Sequence, residues 1–309
     1  MAAAPVGNSD AAPAVFAPGV ISGAANDLSP AFTPDGNTVF FTRSNGSKSI
    51  IVVSHRSRGQ WSSPAIASFS GEWRDLEAAM APDGSYLLFI SNRPAATGGK
   101  PLDGFYNGQP QVAAGGNIWR VDRTATGWGE PQRLPDVVNS NNSIYSPSVV
   151  GDGSIYFMQP TGAGTRFHLF RAQRTGEAYA PPVAVPIATD TATGDYDPAV
   201  ARDESFMVFS SSRLHDKGTS LFIAFRRNGA WDTPAFMGDV VSEPGGNNIE
   251  ARLSPDNRTL YFSSRRVTHT PMPDDRTAAA HALAEMETWD NGLQNIWSVP
   301  LDLWLTHSE

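Results

Sequence analysis

The side chains best suited to chemistry in this 309-residue chain are carboxylates that recur at fixed distances from a tight turn. Three acidic residues stand six positions before the aspartate of such a turn: Glu77, Asp197 and Glu250. Three more stand eight positions before it: Asp27, Asp75 and Asp195. Positions two apart on a regular strand share a face, so we expect both sets to point the same way. Clustered carboxylates can serve as general acid and nucleophile or base, and they can also bind polar ligands.

Arginines follow the next predicted strand in the same units, at Arg43, Arg93, Arg213 and Arg265, with Gln159 in the third unit. Two interpretations of the acids stay open. In the structural one, they accept backbone N–H groups or pair with these arginines, since a buried carboxylate without a partner is costly. In the functional one, the ten acidic and basic residues form a ligand-binding mouth. The units are unequal, since the second and fourth carry both acids and the third carries neither, which favours function.

The turn that follows these acids is repeated along the whole chain. Its aspartates are Asp35, Asp83, Asp152, Asp203 and Asp256. Asp-Gly or a similar pair between apolar runs is typical of a hairpin. Each unit continues with a second and a third apolar strand, and in four units an aromatic–proline turn follows. Proline favours an edge strand, so the fourth strand should be outermost. Four antiparallel strands every 50 residues or so indicate the blades of an all-β propeller.

Five such units and one closing strand account for the chain as a single domain. The last unit lacks a fourth strand, and the N-terminal segment 14–22 matches the missing one, so we expect it to complete the ring. The predicted blades are 24–71, 72–139, 140–190, 191–244 and 245–305. The prediction is therefore a five-bladed β-propeller of four-stranded antiparallel blades, with six blades as the alternative.

The repeated unit resembles the TolB-type, or WD40-like, β-propeller repeat. The resemblance rests on stretches such as "FTPDGNTVFFTRS" (32–44) and "LSPDNRTLYFSSRR" (253–266), and it extends over residues 14–305. It departs from that family in two ways: TolB-type propellers usually have six blades, and the third unit here is degenerate. Relatives of this type are docking platforms, lids on peptidases and occasional enzymes, so the resemblance implies a fold more strongly than an activity.

Two insertions should build up one face of the ring. Both, 94–116 and 267–293, fall between the second and third strands of a blade, and the second contains a stretch that predicts a short helix starting near Thr277. In a propeller blade, those loops emerge on the same face as the acidic positions. Long loops on a rigid scaffold are often functional.

Composition and motifs narrow the classes of partner. The formal charge of −8 and the pI near 5.2 argue against nucleic acid and membrane surfaces. No cysteine, zinc-type histidine motif, Gly-x-Ser-x-Gly or P-loop is present. No cofactor is indicated except calcium, for which the clustered acids could supply some ligands. The Ala/Pro-rich start is typical of a mature exported bacterial protein, so we expect a periplasmic or secreted location. We also expect a monomer.

Two functions follow from these observations. The favoured one is a ligand- or protein-binding propeller that recognises a protein partner or a small polar or glycan ligand on the inserted face. Side chains that could add to that surface are Trp73, Arg74, Tyr145, Tyr196 and His215. The alternative is a glycan-active hydrolase or lyase that uses Glu77, Asp197 and Glu250.

Overall fold

The computed structural model describes residues 12–106, 109–161, 166–188, 192–268 and 273–306. Over these residues the chain forms a five-bladed β-propeller of antiparallel sheets, which confirms the fold predicted from the repeats. In every blade the first strand lies innermost, and the following strands add outward in chain order. We call the end of the ring that carries the Asp-Gly-type turns the turn face, and the opposite end the insertion face.

The first two blades show the shared plan. The closing strand β1 is Ala14–Val15. Blade 1 consists of β2 (Asn26–Phe32), β3 (Thr38–Ser44), β4 (Ser49–Ser57), β5 (Gln60–Trp61) and β6 (Ala65–Ile66). Blade 2 and its insertion consist of β7 (Asp75–Met80), β8 (Tyr86–Ser91), β9 (Gly104–Tyr106), β10 (Gln109–Gln111), β11 (Asn117–Thr124), β12 (Gly127–Trp128) and β13 (Gln132–Arg133). The outer strand is split in two on either side of the aromatic–proline turn, because proline cannot donate to the ladder.

The other three blades repeat this order. Blade 3 consists of β14 (Tyr145–Val149), β15 (Ile155–Thr161), β16 (Arg166–Ala172), β17 (Arg174–Thr175), β18 (Ala178–Tyr179) and β19 (Val183–Ala184). Blade 4 consists of β20 (Asp195–Val200), β21 (Phe206–Ser211), β22 (Ser220–Arg227), β23 (Ala230–Trp231) and β24 (Ala235–Phe236). Blade 5 consists of β25 (Ile249–Leu253), β26 (Thr259–Ser264) and β27 (Asn295–Pro300), with helix α1 (Arg276–Thr288) between the last two strands and helix α2 (Asp302–Leu305) after them.

The N-terminal strand closes the ring as the sequence predicts. Ala14 and Val15 of β1 pair with Ser298 and Trp297 of β27, which makes β1 the outermost strand of blade 5. Beside this seam, the Ser22 hydroxyl donates to the Ile296 carbonyl at 3.1 Å. The first and last segments of the ring therefore share one sheet.

Apolar side chains pack between neighbouring blades rather than in one central core. One cluster, for example, joins Phe40 and Ile51 of blade 1 to Leu87, Phe89 and Val121 of blade 2. The aromatic residues of the outer turns belong to this packing: the rings of Trp128 and Phe40 have centroids 5.4 Å apart. Because these aromatics pack between blades, they are elements of the fold and not a sugar-binding row.

The two insertions differ in how they join the ring. The first forms the β9–β10 hairpin. The second contains α1, whose N-cap Asp275 accepts a hydrogen bond from the Ala278 amide and none of whose residues is buried. None of the helices in the described part of the chain combines the length and apolar character needed to cross a membrane.

Candidate functional site

The inner strand of every blade contains a β-bulge in which one residue has left-handed backbone. These five non-glycine residues, which we call the channel belt, are Ser29 (φ 51°), Glu77 (56°), Ser146 (49°), Asp197 (54°) and Glu250 (59°). All five are buried. Backbone of this kind costs on the order of 1 kcal/mol per residue and persists only where the surroundings hold it. The bulges therefore place five chosen side chains at equivalent points around the channel.

Hydrogen bonds run through the belt from blade to blade. The Glu77 amide donates to Thr42 Oγ1 of blade 1 at 2.8 Å, and Glu77 Oε2 accepts from the Ser146 amide at 2.6 Å. Asp197 then accepts from the Ser146 hydroxyl at 2.7 Å and from the Glu250 amide at 2.9 Å. These contacts connect all five blades in order.

The series of bonds is interrupted between blade 5 and blade 1. Glu250 Oε2 and Ser29 Oγ are buried and have no hydrogen-bond partner among the described residues. Glu250 approaches Arg252 Nη2 only to 3.9 Å, which is too long for a hydrogen bond. The channel thus contains polar groups that no described residue satisfies by hydrogen bonding.

Burial and crowding change the acidity of two belt carboxyls. Burial, and then the nearby Asp197, raise the pKa of Glu77 to about 7 against the opposing hydrogen bond from the Ser146 amide. Burial, followed by Glu77 and Asp197, raises the pKa of Glu250 well above its ordinary value. Since a carboxyl with a pKa near 7 is about half protonated at neutral pH, Glu77 can donate as well as accept.

The second set of predicted acids forms buried ion pairs with arginines of the same blade. The pairs are Asp27–Arg43 at 2.7 Å, Asp75–Arg93 at 2.6 Å and Asp195–Arg213 at 2.9 Å. Each arginine also donates to a carbonyl on the segment arriving from the preceding outer strand: Ile21, Phe69 and Ile187, respectively. In blades 1, 2 and 4, these pairs thus link the blade to the segment that leads into its first strand. This favours a structural role for all six residues.

Blades 3 and 5 have other residues in place of this aspartate–arginine pair. In blade 5, Arg266 donates to the Val241 carbonyl, and Asn248 stands where blades 1, 2 and 4 have aspartate. Arg266, and not the predicted Arg265, therefore occupies the equivalent position; Arg265 is exposed. In blade 3, Asn141 donates to Gln159 at 3.2 Å, so two amides replace the ion pair.

The bulge explains why the two acidic sets separate. A spacing of two residues keeps side chains on one face only while the strand is regular. At Glu77, Asp197 and Glu250 the left-handed backbone breaks that regularity, and the Glu77 and Asp197 side chains accept hydrogen bonds from neighbouring blades. The aspartates two positions earlier stay within their own blade.

A cavity of about 290 Å³, the insertion-face cavity, lies beside Glu77 between blades 2 and 3. Its polar lining consists of Arg74, Glu77 and Gln111. Its apolar lining consists of Leu76, Phe105, Ala114, Tyr145, Met158 and Phe167. Arg74 Nη1 is buried and lacks a hydrogen-bond partner within the described ranges. The cavity therefore combines aromatic walls with one unsatisfied cationic donor and one carboxyl.

The first insertion covers this cavity. The Phe105 amide donates to Ser143 Oγ at 2.8 Å, and the Tyr145 hydroxyl donates to the Ala114 carbonyl at 2.7 Å. The two arms of the insertion approach so closely that a Cβ on Gly104 would lie 2.8 Å from the Ala114 oxygen. Glycine is needed there because any side chain would force the arms apart.

The aromatic and basic residues expected on this face divide into two groups. Arg74 and Tyr145 line the cavity, and Tyr196 lies beside it with its ring centroid 6.3 Å from that of Phe167. Trp73 is half-buried and His215 is exposed, and neither lines the cavity. Sequence reasoning missed Phe105, Gln111 and Phe167. The position of the insertion was the available signal for the first two, whereas Phe167 lies on β16 of blade 3, outside the insertion.

A metal centre gains no support from the geometry. Over the residues that the structure describes, no three histidine, aspartate or glutamate side chains come together so as to hold a metal ion. The calcium site suggested by the clustered acids stays a prediction.

Comparisons with known proteins extend the description of the fold. No protein-family model matches the chain, and no curated protein sequence matches it. Similar solved structures include TolB from Acinetobacter baumannii, 12% identical with a TM-score of 0.49, covering 89% of this chain and 54% of that one. The putative TolB from Agrobacterium tumefaciens is 14% identical with a TM-score of 0.49, covering 78% and 70%.

A third similar structure is the catalytic domain of the GH62 α-L-arabinofuranosidase from Coprinopsis cinerea. It is 12% identical with a TM-score of 0.50, and the match covers 96% of this chain and 98% of that domain. This chain spans only about half of the Acinetobacter TolB. At such identities the likenesses show the β-propeller fold and nothing finer.

Proposed function

We propose that this protein recognises a small ligand in the insertion-face cavity. The observation that carries the proposal is the unsatisfied Arg74 Nη1, buried beside the Glu77 carboxyl in a cavity roofed by the first insertion. A buried cationic donor without a partner is costly to the free protein, and a ligand that accepts its hydrogen bond relieves that cost. Concave sites lined mainly by apolar side chains, with a few convergent polar groups, are typical ligand sites.

The lining indicates the chemistry of the ligand. A volume of about 290 Å³ lies at the lower end of the usual range for ligand pockets, so the ligand is small. Half-buried Tyr145, whose ring centroid lies 5.9 Å from that of buried Phe167, offers aromatic surface to a sugar ring or an aromatic ring. Arg74 and Glu77 then bind a polar group at one end. A small glycan or another compact polar ring compound fits this arrangement.

A thermal-shift screen with sugars, short oligosaccharides and peptides, followed by calorimetry, tests the proposal. A ligand at 100 times its Kd should add about 2.7 kcal/mol, or roughly 4 °C for a chain of this size. We expect Arg74→Met and Phe105→Ala to abolish the shift. Leu283→Ala is the matched control, because Leu283 lies on exposed α1 and outside the cavity. Shifts that survive both cavity substitutions would refute the proposed site.

Glycan hydrolysis is the second candidate, favoured by one specific observation. Glu77, with a pKa of about 7, and Asp197 both bind Ser146, so a protonatable and a second carboxyl lie side by side. Such pairs supply the acid and the nucleophile or base of glycosidases. Both Asp197 oxygens are already hydrogen-bonded within the belt, which makes binding the better supported function.

Release of reducing ends from a polysaccharide panel tests hydrolysis directly. A hydrolase should lose at least about a hundredfold in kcat on Glu77→Gln, since general acid–base catalysis contributes about 10² to 10⁴. Turnover that is unchanged in this variant would exclude Glu77 from the chemistry. A ligand that binds without turnover would leave recognition as the function.

The wider setting of the protein also stays a proposal. The TolB-type resemblance supports a role in binding a protein partner on the same face, as a monomer in the periplasm or outside the cell. Of the N-terminal residues that suggested export, 1–14, residues 1–11 lie outside the described part of the chain. Fractionation of the native cells, with mass analysis of the recovered protein, tests the location.

A further inference from the structure

A second cavity, of about 200 Å³, opens at the other end of the channel, and we call it the turn-face cavity. All five blades line it with residues that follow the belt. Most of this lining is proline or small apolar side chain, including Pro30, Pro82, Pro147, Ala199 and Val200. Its charged lining residues are Arg202 and Arg252, with no aspartate or glutamate among them. Most of the side chains that line the cavity are therefore apolar, and its charged side chains are cationic.

Arg252 is the unusual member of this lining. Its side chain is 7% exposed, so the guanidinium is nine-tenths buried. Nη1 donates to the Ala251 carbonyl at 2.7 Å. Nε and Nη2 have no hydrogen-bond partner in the described part of the chain. The Glu250 carboxyl, at 3.9 Å, lies beyond hydrogen-bond distance.

The position of Arg252 is specific to blade 5. The residues two positions beyond the belt in the other blades are Ala31, Ala79, Ser148 and Ala199, which are all small. Among these five equivalent positions, only the one in blade 5 thus has a long cationic side chain. A guanidinium placed only to neutralise Glu250 would be expected to bond it directly, since a buried pair is stabilised by good geometry.

We propose that the turn-face cavity is a binding site for a small organic carboxylate, whose two oxygens accept from Arg252 and whose apolar body fills the proline-lined space. The planar guanidinium matches a carboxylate with two parallel hydrogen bonds. Burying Nε and Nη2 without hydrogen-bond acceptors is costly even with the Glu250 carboxyl 3.9 Å away, and a carboxylate that reaches them satisfies both. The apolar walls favour a hydrocarbon chain or ring over a strongly hydrated inorganic ion. This site is separate from the insertion-face cavity, and either proposal can fail alone.

Fluorine NMR with 4,4,4-trifluorobutyrate as the probe tests this site on the whole protein. Unlabelled butyrate should displace the probe, whereas butyramide, chloride and inorganic phosphate should not. Arg252→Lys keeps the positive charge but cannot form two parallel hydrogen bonds to a carboxylate. It should weaken binding by more than about tenfold, which corresponds to the loss of one charge-assisted hydrogen bond. Arg252→Met should abolish binding. Arg58→Lys is the control, because Arg58 is exposed and lies outside the cavity.

Each result decides the proposal. Displacement by butyrate with the stated dependence on Arg252 supports it. No binding at millimolar probe overturns it, as does unchanged affinity in Arg252→Lys. If butyramide displaced the probe as well as butyrate does, the carboxylate would not be what the site recognises. If chloride or phosphate did so, the apolar part of the ligand would not contribute to binding. Either result contradicts the proposal. If Arg252→Met fails to fold, Arg252→Lys still tests the proposal, because it retains the buried charge.

Discussion

Replacing Glu77 with glutamine should change how stability depends on pH. Burial, with Asp197 nearby, raises the pKa of Glu77 from its ordinary 4.5 to about 7 in the folded protein. A carboxyl with a raised folded pKa binds more protons in the folded state, so its contribution to stability is present below pH 4.5. That contribution is lost as the pH rises through 7. The pKa difference corresponds to about 3 kcal/mol.

Glutamine removes this loss because it is neutral at every pH and still presents an oxygen to the Ser146 amide, which now donates to Glu77 Oε2. We expect Glu77→Gln and the wild type to have similar free energies of unfolding at pH 5. At pH 8 the variant should be more stable by up to about 3 kcal/mol, or roughly 5 °C in Tm. Part of this gain comes through Glu250, whose pKa Glu77 helps to raise.

Urea denaturation at pH 5, 6, 7 and 8 measures the effect. Glu287→Gln makes the same chemical change on the exposed helix α1 and serves as the control. The difference between Glu77→Gln and the wild type should grow steadily with pH, while the control should run parallel to the wild type. Parallel curves for Glu77→Gln would show that Glu77 ionises normally and would refute the reasoning on the belt.

Three further predictions concern the scaffold. Asp75→Asn should cost about 3–5 kcal/mol in urea denaturation, because it leaves Arg93, only 12% exposed, without its charge partner; a loss under 1 kcal/mol would contradict a structural pair. Phe16→Ala should cost about 2 kcal/mol, less than a fully buried phenylalanine, because its half-buried ring packs on three others at the seam; an unchanged Tm would show that the seam does not need it. Ala280→Pro should reduce the helical circular dichroism and shift Tm by less than about 1 °C, since no residue of α1 is buried; a larger shift would mean that α1 supports the ring.

The propeller could be predicted because each blade carries its own local signals. The turn aspartates accept from the amide two residues later in every unit, as Asp83 does from Ser85 at 3.0 Å, so the hairpins are encoded locally. The closing strand follows from the same repetition, although β1 is limited to Ala14–Val15 where the repeats predicted 14–22. In a repeat protein, the sequence of each unit thus largely determines the structure of its own blade.

The site could be predicted only in part. The belt residues stood out by their spacing, but the left-handed backbone at Glu77 or Asp197 has no signature in residue type, since glycine or asparagine would be expected there. The choice between Arg265 and Arg266 depends on the path of the chain after β26, which two adjacent arginines do not reveal. The insertion-face cavity depends on how the β9–β10 hairpin folds back over blade 3, and a periodic pattern contains no information on that.

The seam between the first and last strands has a consequence for the order of folding. The Ser22 hydroxyl bonds a carbonyl 274 residues further along the chain. During synthesis, blades 1 to 4 can therefore pair their strands as they emerge, whereas β1 must wait until β27 has been made. Contacts so distant in sequence are slow to form, so ring closure should be the late step, with the apolar edge of blade 1 uncovered until then. A ribosome-bound chain that stops short of β27 is thus an open arc, and it is the stage at which this protein is most exposed to aggregation.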